Sequence, residues 1–302
     1  MVDADVIPYL QRVSELAQVP VADFVAPTDA QLIAGDTRLH YLDWGDDGKP
    51  WLVFLHGGAQ TAHTWDIVCL ALRGHYHVVA VDLRGHGDSE WSPELDYGLA
   101  AHSRDLLGLL DQLGAGRVIL VGMSLGGMSA LSATSLAPER VRALVVIDTA
   151  PNVPPDRGRE VAAFMNAKVE LNTLDDYVEQ ALSFNPRRDR DLLRTSLLFN
   201  LRERPDGGFA WKWDPRPMAG PPTLREDWNR RRQELWERAG LIETPTLLVR
   251  GGESKMLLPE DADALVAHMP NARWVEVENA GHTVQGDNPA GLLRELEAFL
   301  PA

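Results

Sequence analysis

The chain has a single cysteine, Cys69, among its 302 residues. No disulfide can form within it, which excludes a disulfide-stapled scaffold and fits a reducing compartment. Uninterrupted apolar runs are short. None approaches the length of about 18 residues that a membrane-spanning helix needs. The stretch from Met1 to Leu16 is acidic at its start and lacks a basic region followed by an apolar one. A secretory signal is therefore not expected, and a cytoplasmic location is. Basic charge is also scarce: 29 Lys and Arg stand against 44 Asp and Glu, a formal net charge of −15. Such a field repels phosphate backbones and anionic headgroups, so nucleic acid and membranes are poor partners. The expected partner is a small-molecule substrate, and the sequence leaves a homodimer open. No histidine pair has metal-ligand spacing, and no glycine-rich phosphate loop runs into Lys-Ser/Thr. Neither a metal nor a cofactor is expected.

Hydrophobic residues, at 45%, are sufficient for one large core with an insertion. Val6 to Gln18 carries apolar residues at helical spacing and forms an N-terminal helical extension ending near residue 27. Gln31–Ala34, Arg38–Trp44 and Trp51–Leu55 read as strands, with hairpin signals at Gly35-Asp36 and Gly45-Asp46-Asp47-Gly48. Short apolar runs then alternate with amphipathic stretches. His77–Val81, Arg117–Val121, Val141–Ile147, Thr246–Val249 and Arg273–Val277 read as strands; Leu99–Leu113, Leu125–Leu136, Glu260–His268 and Ala290–Leu300 read as helices. This alternation predicts βαβ crossovers and a mostly parallel sheet.

From Asp148 to about residue 240 the alternation stops. Helical stretches at Glu160–Leu171, Leu174–Ser183, Leu192–Leu201 and Trp228–Ala239 are joined by proline-rich links, with no strong strand among them. Between Asn152 and Gly240 there are 16 basic and 15 acidic residues, whereas the remainder has 13 and 29. The pattern predicts a core of residues 28–150 and 241–302 interrupted by a helical cap of residues 151–240. The four cap tryptophans, Trp211, Trp213, Trp228 and Trp236, suit packing within the cap better than an exposed apolar wall. Arginines such as Arg187, Arg188, Arg230, Arg231 and Arg232 are expected on solvated helix faces, with binding of a substrate carboxylate as the alternative.

The sharpest chemical signal is Gly122-Met123-Ser124-Leu125-Gly126-Gly127. It sits between a buried strand and a helix. A serine on so tight a turn needs small residues two before and two after it, which Gly122 and Gly126 supply. The turn lifts the Ser124 hydroxyl above the sheet and frees the Leu125 N–H at a helix N-terminus. His56-Gly57-Gly58-Ala59 follows the strand Trp51–Leu55, at the sheet edge where open α/β folds bind ligands. The Gly58 N–H is the second expected oxyanion donor, and His56 itself reads as a structural, hydrogen-bonded residue. Gly281-His282 lies after the last strand, in a loop from which a general base can reach Ser124. His86, within Asp82-Leu83-Arg84-Gly85-His86-Gly87-Asp88-Ser89, reads as structural.

Taken in order, the HGG, DLRGHGDS, GMSLGG and AGH segments resemble the α/β-hydrolase superfamily over roughly residues 28–302. The resemblance implies an eight-stranded sheet flanked by helices, a cap after Ile147, and a Ser–acid–His triad whose acid follows one of two strands. The commoner position is an aspartate in a Gly-x-x-Asp context after the penultimate strand. Here that stretch is Arg250-Gly251-Gly252-Glu253-Ser254, and Ser254 occupies the aspartate's place. A minority of the superfamily carries the acid after the strand preceding the cap, which corresponds to Asp148. The expected triad is therefore Ser124, His282 and Asp148, with Glu253 as the alternative acid and Asp261 or Asp287 behind it. Members that open epoxides or carbon–halogen bonds carry aspartate at the nucleophile position, so Ser124 argues against those reactions. Ala59 replaces the proline of the His-Gly-Gly-Pro-Gly seen in proline-specific aminopeptidases. What the resemblance implies is a serine hydrolase of a small to medium ester, lactone or related acyl substrate. The alternatives are a C–C bond hydrolase of vinylogous diketo acids, a cofactor-independent oxygenase, and a non-catalytic ligand receptor.

Overall fold

A computed structural model of the chain describes residues 6–45, 48–165, 167, 170–217 and 222–301, with the side chains of residues 160 and 222–229 outside that description. Eight strands form the main sheet: β1 (Thr28–Ala34), β2 (Thr37–Asp43), β3 (Trp51–Leu55), β4 (His77–Val81), β5 (Val118–Met123), β6 (Val141–Ile147), β10 (Thr246–Gly251) and β11 (Ala272–Val277). Their order is β1-β2-β4-β3-β5-β6-β10-β11, and only β2 runs against the others. The expected mostly parallel sheet is therefore present. Strand order reverses at β3, which lies between β4 and β5. In an open α/β sheet the crevice at such a reversal is where ligands bind, and both the HGG turn and Ser124 leave the sheet there.

The central strands β3, β4, β5, β6 and β10 are buried almost throughout and read as apolar runs because both faces are covered, whereas β1 and β11 at the edges are largely exposed or half-buried. Along β3, Leu52 and Phe54 enter one core, whereas Val53 and Leu55 enter the other. The first core packs against α1 (Val6–Ala17), α2 (Asp66–Leu72) and α11 (Pro289–Phe299). The second packs against α3 (Leu99–Gln112), α4 (Leu125–Leu136) and α9 (Pro259–His268). No described helix is long and apolar enough to cross a membrane.

The segment between β6 and β10 is not purely helical. It holds α5 (Arg159–Met165), α6 (Leu174–Phe184), α7 (Arg190–Asn200) and α8 (Pro222–Ala239), but also β7 (Glu170–Leu171), β8 (Leu201–Glu203) and β9 (Phe209–Trp211). These three short strands make an antiparallel sheet in the order β7-β9-β8. The helix expected through Leu171 instead stops at Met165. Tertiary bonds override local periodicity here: the Tyr177 hydroxyl donates to Phe209 O at 2.7 Å and accepts from Leu171 N at 2.9 Å. Leu235 and Ala239 of α8 are fully buried in the core beside α4, so the end of α8 belongs physically to the α/β layer.

Asp82, at the end of β4, organises the DLRGHGDS loop. Its carboxylate accepts Ala62 N at 2.6 Å and Asp88 N at 2.9 Å, and receives His40 Nδ1 at 2.7 Å. A Cβ on Gly87 would lie 1.9 Å from that carboxylate, so glycine is obligatory there. Burial raises the Asp82 carboxyl, but its bond and charge pairing with His40 outweigh this and bring it down to about 2. Burial likewise pulls the His40 imidazole down, and Asp82 together with Asp29 reverses the sign, leaving it above its ordinary value. A histidine raised on folding stabilises the folded state fully below its unfolded pKa of about 6.5, and that contribution disappears as pH rises through the folded value. The Tm deficit of His40→Gln relative to the unsubstituted chain should therefore be larger at pH 6 than at pH 9; an equal or inverted deficit would contradict the charged pairing.

Candidate active site

Ser124 stands between β5 and α4 with φ 51° and ψ −114°, a conformation that side-chain-bearing residues seldom adopt. Strain of this kind costs about 1–3 kcal/mol and persists only where its surroundings enforce it. The enforcement is backbone against backbone. A Cβ on Gly122 would lie 2.3 Å from Gly126 O, and one on Gly126 would lie 2.2 Å from Leu55 O. Neither obstacle can swing aside as a side chain could.

His282 follows β11. Its Nε2 lies 3.2 Å from Ser124 Oγ and its Nδ1 2.8 Å from Asp148 Oδ2. With Asp148 ionised, Nδ1 carries the proton and Nε2 presents a lone pair to the serine hydroxyl. Asp148 is fully buried at the end of β6, with φ 50°. Its Oδ1 accepts Gly251 N at 2.9 Å, and its Oδ2 accepts the Ser254 hydroxyl at 2.5 Å. The structure thus brings Ser124, His282 and Asp148 together. Ser254, in the commoner acid position, acts as a donor to the carboxylate, a role its residue type allows but the sequence does not announce.

The other carboxylates point elsewhere. Glu253 is nearly half exposed and pairs with Arg187. Asp261 accepts Leu258 N at 2.9 Å at the start of α9 and pairs with Arg157. Asp287, on the short helix α10 (Val284–Asp287), accepts Gly281 N at 2.9 Å and so holds the loop that carries His282.

The turn after β3 is shaped by Gln60. Its Oε1 accepts Gly57 N at 3.0 Å, its own N–H donates to Gly57 O at 3.2 Å, and Ala59 between them has φ 61°. Gln285 of α10 donates to the same Gln60 oxygen at 3.3 Å, joining the HGG turn to the His282 loop. Sequence reasoning missed both glutamines. The Gly58 and Leu125 N–H groups have no acceptor among the described residues. His56 is fully buried: its Nδ1 donates to Gly57 O at 2.7 Å, its Nε2 accepts Leu83 N at 2.9 Å, and burial lowers its pKa. It is a structural brace. His86 is buried too, and burial together with His56 drops it to about 3.

Over the HGG turn lies Met165 of α5, its sulfur 3.6 Å from where a Cβ on Gly58 would stand. Ala59 packs on the apolar cluster of Tyr177, Leu193, Leu197, Trp211 and Trp213. Trp211 and Trp213 thus serve the insertion's own core. Trp236 stacks on His268 with ring centroids 4.2 Å apart, and the Trp228 side chain lies outside the described residues. Three of the insertion's arginines depart from the expected solvated faces. Arg231 packs against Gly98, Arg188 tucks against Gly286, and Arg232 donates to Pro151 O and Val153 O. Long apolar stems let arginine bury in this way. A groove of about 710 Å³, lined by Tyr9, Leu198, Phe199 and Phe209 among others, is bordered by none of Ser124, His282 or Asp148.

Among the described residues one group has metal-ligand chemistry: His40, Asp82 and Asp88 bring ligand-type atoms within 4.8 Å of one another. Each already has partners. His40 spans Asp82 and Asp29, Asp82 holds two backbone N–H groups, and Asp88 pairs with Lys212 Nζ at 2.6 Å. The arrangement is a closed hydrogen-bonded set.

Comparison with known proteins places this geometry in context. Residues 50–289 match the family model described as alpha/beta hydrolase fold. The chain is 32% identical over 266 residues to the esterase Rv0045c of Mycobacterium tuberculosis, covering 86% of this chain and 85% of that protein. A solved structure of that esterase superposes with a TM-score of 0.80 at 31% identity, covering 97% of this chain and 98% of the other. A 3-hydroxybutyrate-oligomer hydrolase of Cupriavidus necator is 29% identical over 278 residues, covering 89% of this chain and 95% of that protein.

The backbone contacts around the nucleophile turn make a direct stability test. Gly126→Ala should destabilise the chain by about 3 kcal/mol in urea unfolding, since backbone must move to admit the methyl group. Gly116→Ala, where a Cβ meets nothing within 4 Å, is the control and should change stability by less than about 1 kcal/mol.

Proposed function

The chain belongs to the alpha/beta hydrolase fold family, and from that premise we propose that it is a serine hydrolase cleaving carboxylic esters through an acyl-enzyme. One observation carries the reading: a single imidazole spans Ser124 Oγ at 3.2 Å and the buried Asp148 carboxylate at 2.8 Å. This is the geometry of a general base with an orienting acid. In the proposed mechanism His282 Nε2 takes the Ser124 proton as Oγ adds to the ester carbonyl. The Gly58 and Leu125 N–H groups receive the developing oxyanion. Each such donor is worth about 10^2–10^3 in rate. His282 then gives its proton to the departing alkoxide, leaving the acyl group on Ser124. A water molecule, deprotonated by the same nitrogen, adds to the acyl carbonyl; the carboxylic acid leaves and Ser124 regains its proton. Asp148 holds the imidazole in the Nδ1–H tautomer and stabilises the imidazolium formed twice per cycle.

The names of the relatives support ester bonds as the substrate class: one is an esterase and another hydrolyses oligomers of 3-hydroxybutyrate, which are polyesters. Hydrogen bonding of Ser124 to His282 favours a nucleophilic serine over one that only binds substrate, as a cofactor-independent oxygenase would require. The apolar ceiling of Met165 above Gly58 favours a short, apolar acyl group.

A fluorophosphonate should add its mass to the peptide containing Ser124, and Ser124→Ala should abolish both the adduct and ester turnover. Labelling at another residue, or full turnover by Ser124→Ala, would overturn the hydrolase reading. Asp148→Asn should fold and lose about 10^4-fold in kcat, as triads do on losing the orienting carboxylate, whereas Glu253→Gln should change kcat by less than about threefold. The reverse ranking of these two variants would refute the assignment of the acid. Met165→Ala should shift the preference among nitrophenyl esters toward longer acyl chains, with about a tenfold change in the kcat/KM ratio between short and medium chains. An unchanged ratio would remove Met165 from the acyl site.

A further inference from the structure

We infer that Asn185, on the insertion, is a positioning residue for His282; the inference rests on the serine-hydrolase reading above. Asn185 closes α6 and opens the turn Asn185-Pro186-Arg187-Arg188. Its Oδ1 accepts Arg187 N at 3.3 Å. That bond sets the orientation of the amide, so its NH2 group is the side that meets the core. There it donates to Thr283 Oγ1 at 3.1 Å and to Asp287 Oδ1 at 2.8 Å. Thr283 directly follows His282, and its hydroxyl donates to the same Asp287 oxygen at 3.1 Å. The other Asp287 oxygen accepts the N–H of Gly281, the residue before His282. Both chain neighbours of His282 are therefore tied to one carboxylate, and Asn185 holds that carboxylate from the insertion.

The rest of the turn follows the same loop. Arg187 pairs with Glu253 beyond β10, and one of its terminal nitrogens lies 2.9 Å from where a Cβ on Gly281 would stand. A terminal nitrogen of Arg188 lies 2.5 Å from the corresponding place on Gly286. The insertion thus seats on the two glycines that flank His282 and Asp287. Seating matters because the Nε2–Oγ separation of 3.2 Å is at the long end of hydrogen-bond range. A small shift of the loop breaks this contact, and a misplacement of about 1 Å can cost about 10^2-fold in rate.

The test uses the full chain with four proteins: unsubstituted, Asn185→Ala, Asn185→Asp and Arg216→Ala. Arg216, paired with Asp214 within the insertion, fastens it at its other side by donating to Ser92 O, without touching the His282 loop. Asn185→Asp keeps the size of the side chain and loses both donated bonds. Three quantities are read: ester kcat and KM, the rate of fluorophosphonate labelling, and the low-field proton resonance of His282 Nδ1–H bonded to Asp148. Both Asn185 variants should lose about tenfold or more in kcat and labelling rate, keep KM within about twofold, and broaden or shift the resonance. Arg216→Ala should keep the resonance and lose less than about threefold in kcat. An intact resonance with near-normal kcat in the Asn185 variants overturns the inference, as does an equal loss in Arg216→Ala, which would mean general loosening of the insertion. Circular dichroism monitors folding, and Asn185→Ala alone decides the matter if the aspartate variant does not fold. Failure of the unsubstituted chain to label at Ser124 instead overturns the hydrolase reading and this inference with it.

Discussion

A buried carboxylate organises this molecule. Asp148 is fully buried, and an ionised group in such a place costs several kcal/mol unless its oxygens are met by donors. Three meet them: Gly251 N–H on one oxygen, and the Ser254 hydroxyl and His282 Nδ1–H on the other. Each comes from a different piece of chain, so satisfying the charge fixes the end of β10, the loop beyond it and the loop beyond β11 at once. The backbone is closed around this point as tightly as the side chains. A Cβ on Gly251 would lie 2.1 Å from Gly281 O, and Asp148 N donates to Val249 O at 2.7 Å.

The same geometry explains why an acid after β6 can do the work of one after β10. The two strands are parallel neighbours, with Ile147 paired to Val249. Side chains that leave their ends converge on one spot, and Ser254 touching Asp148 is the proof in distance. What the proposed base requires is a carboxylate beside Nδ1, and the strand that supplies it is secondary. With Asp148 as the proposed acid at the end of β6, the position after β10 holds a hydroxyl that donates to it and also accepts Met256 N at 3.1 Å. A nonpolar residue there would leave one donor fewer on a buried charge.

Much of this is legible in the sequence. Strands buried on both faces show as apolar runs, which marks β3 to β6 and β10; β1 and β2 are marked instead by the hairpin signal at Gly35-Asp36 between them. The nucleophile turn was legible because close backbone approach admits only hydrogen at Gly122 and Gly126, a demand that residue type records. Elements whose cause is distant were not legible. β7, with two residues, and β8 and β9, with three each, are too short for any alternation to register, and a tyrosine hydroxyl on α6 helps to hold them. Gln60 and Gln285 pair across 225 positions, and Asn185 meets Asp287 across 102. No local pattern marks such a residue, because its amide is equally at home in solvent. Arg188 misled for the converse reason: its charge predicts exposure, while its stem and a facing glycine permit burial.

The uneven charge along the chain also finds a physical account. Among the described residues three ion pairs join the insertion to the core: Arg157 with Asp261, Arg187 with Glu253, and Lys212 with Asp88. In each the cation is on the insertion and the carboxylate on the core. A segment richer in cations than the rest is what an acidic core attracts. The Arg187 and Lys212 pairs are partly exposed, and such pairs contribute about 0–1 kcal/mol each and weaken with salt. They bias where the insertion lands without fixing it. Fixing falls to the groups that exclude water or meet a buried partner: Ala59 packed in the insertion's apolar cluster, backbone bonds from Gly87 N to Lys212 O at 2.6 Å and from Asp214 N to Gly85 O at 2.8 Å, and the Asn185 amide on Asp287. These contacts lie on three stretches of the core: the HGG turn through Ala59, the DLRGHGDS loop through Gly85 and Gly87, and the His282 loop through Asp287. Two of the three, the HGG turn and the His282 loop, are the ones that shape the site, so a movement of the insertion that admits a substrate pulls on one or both of them.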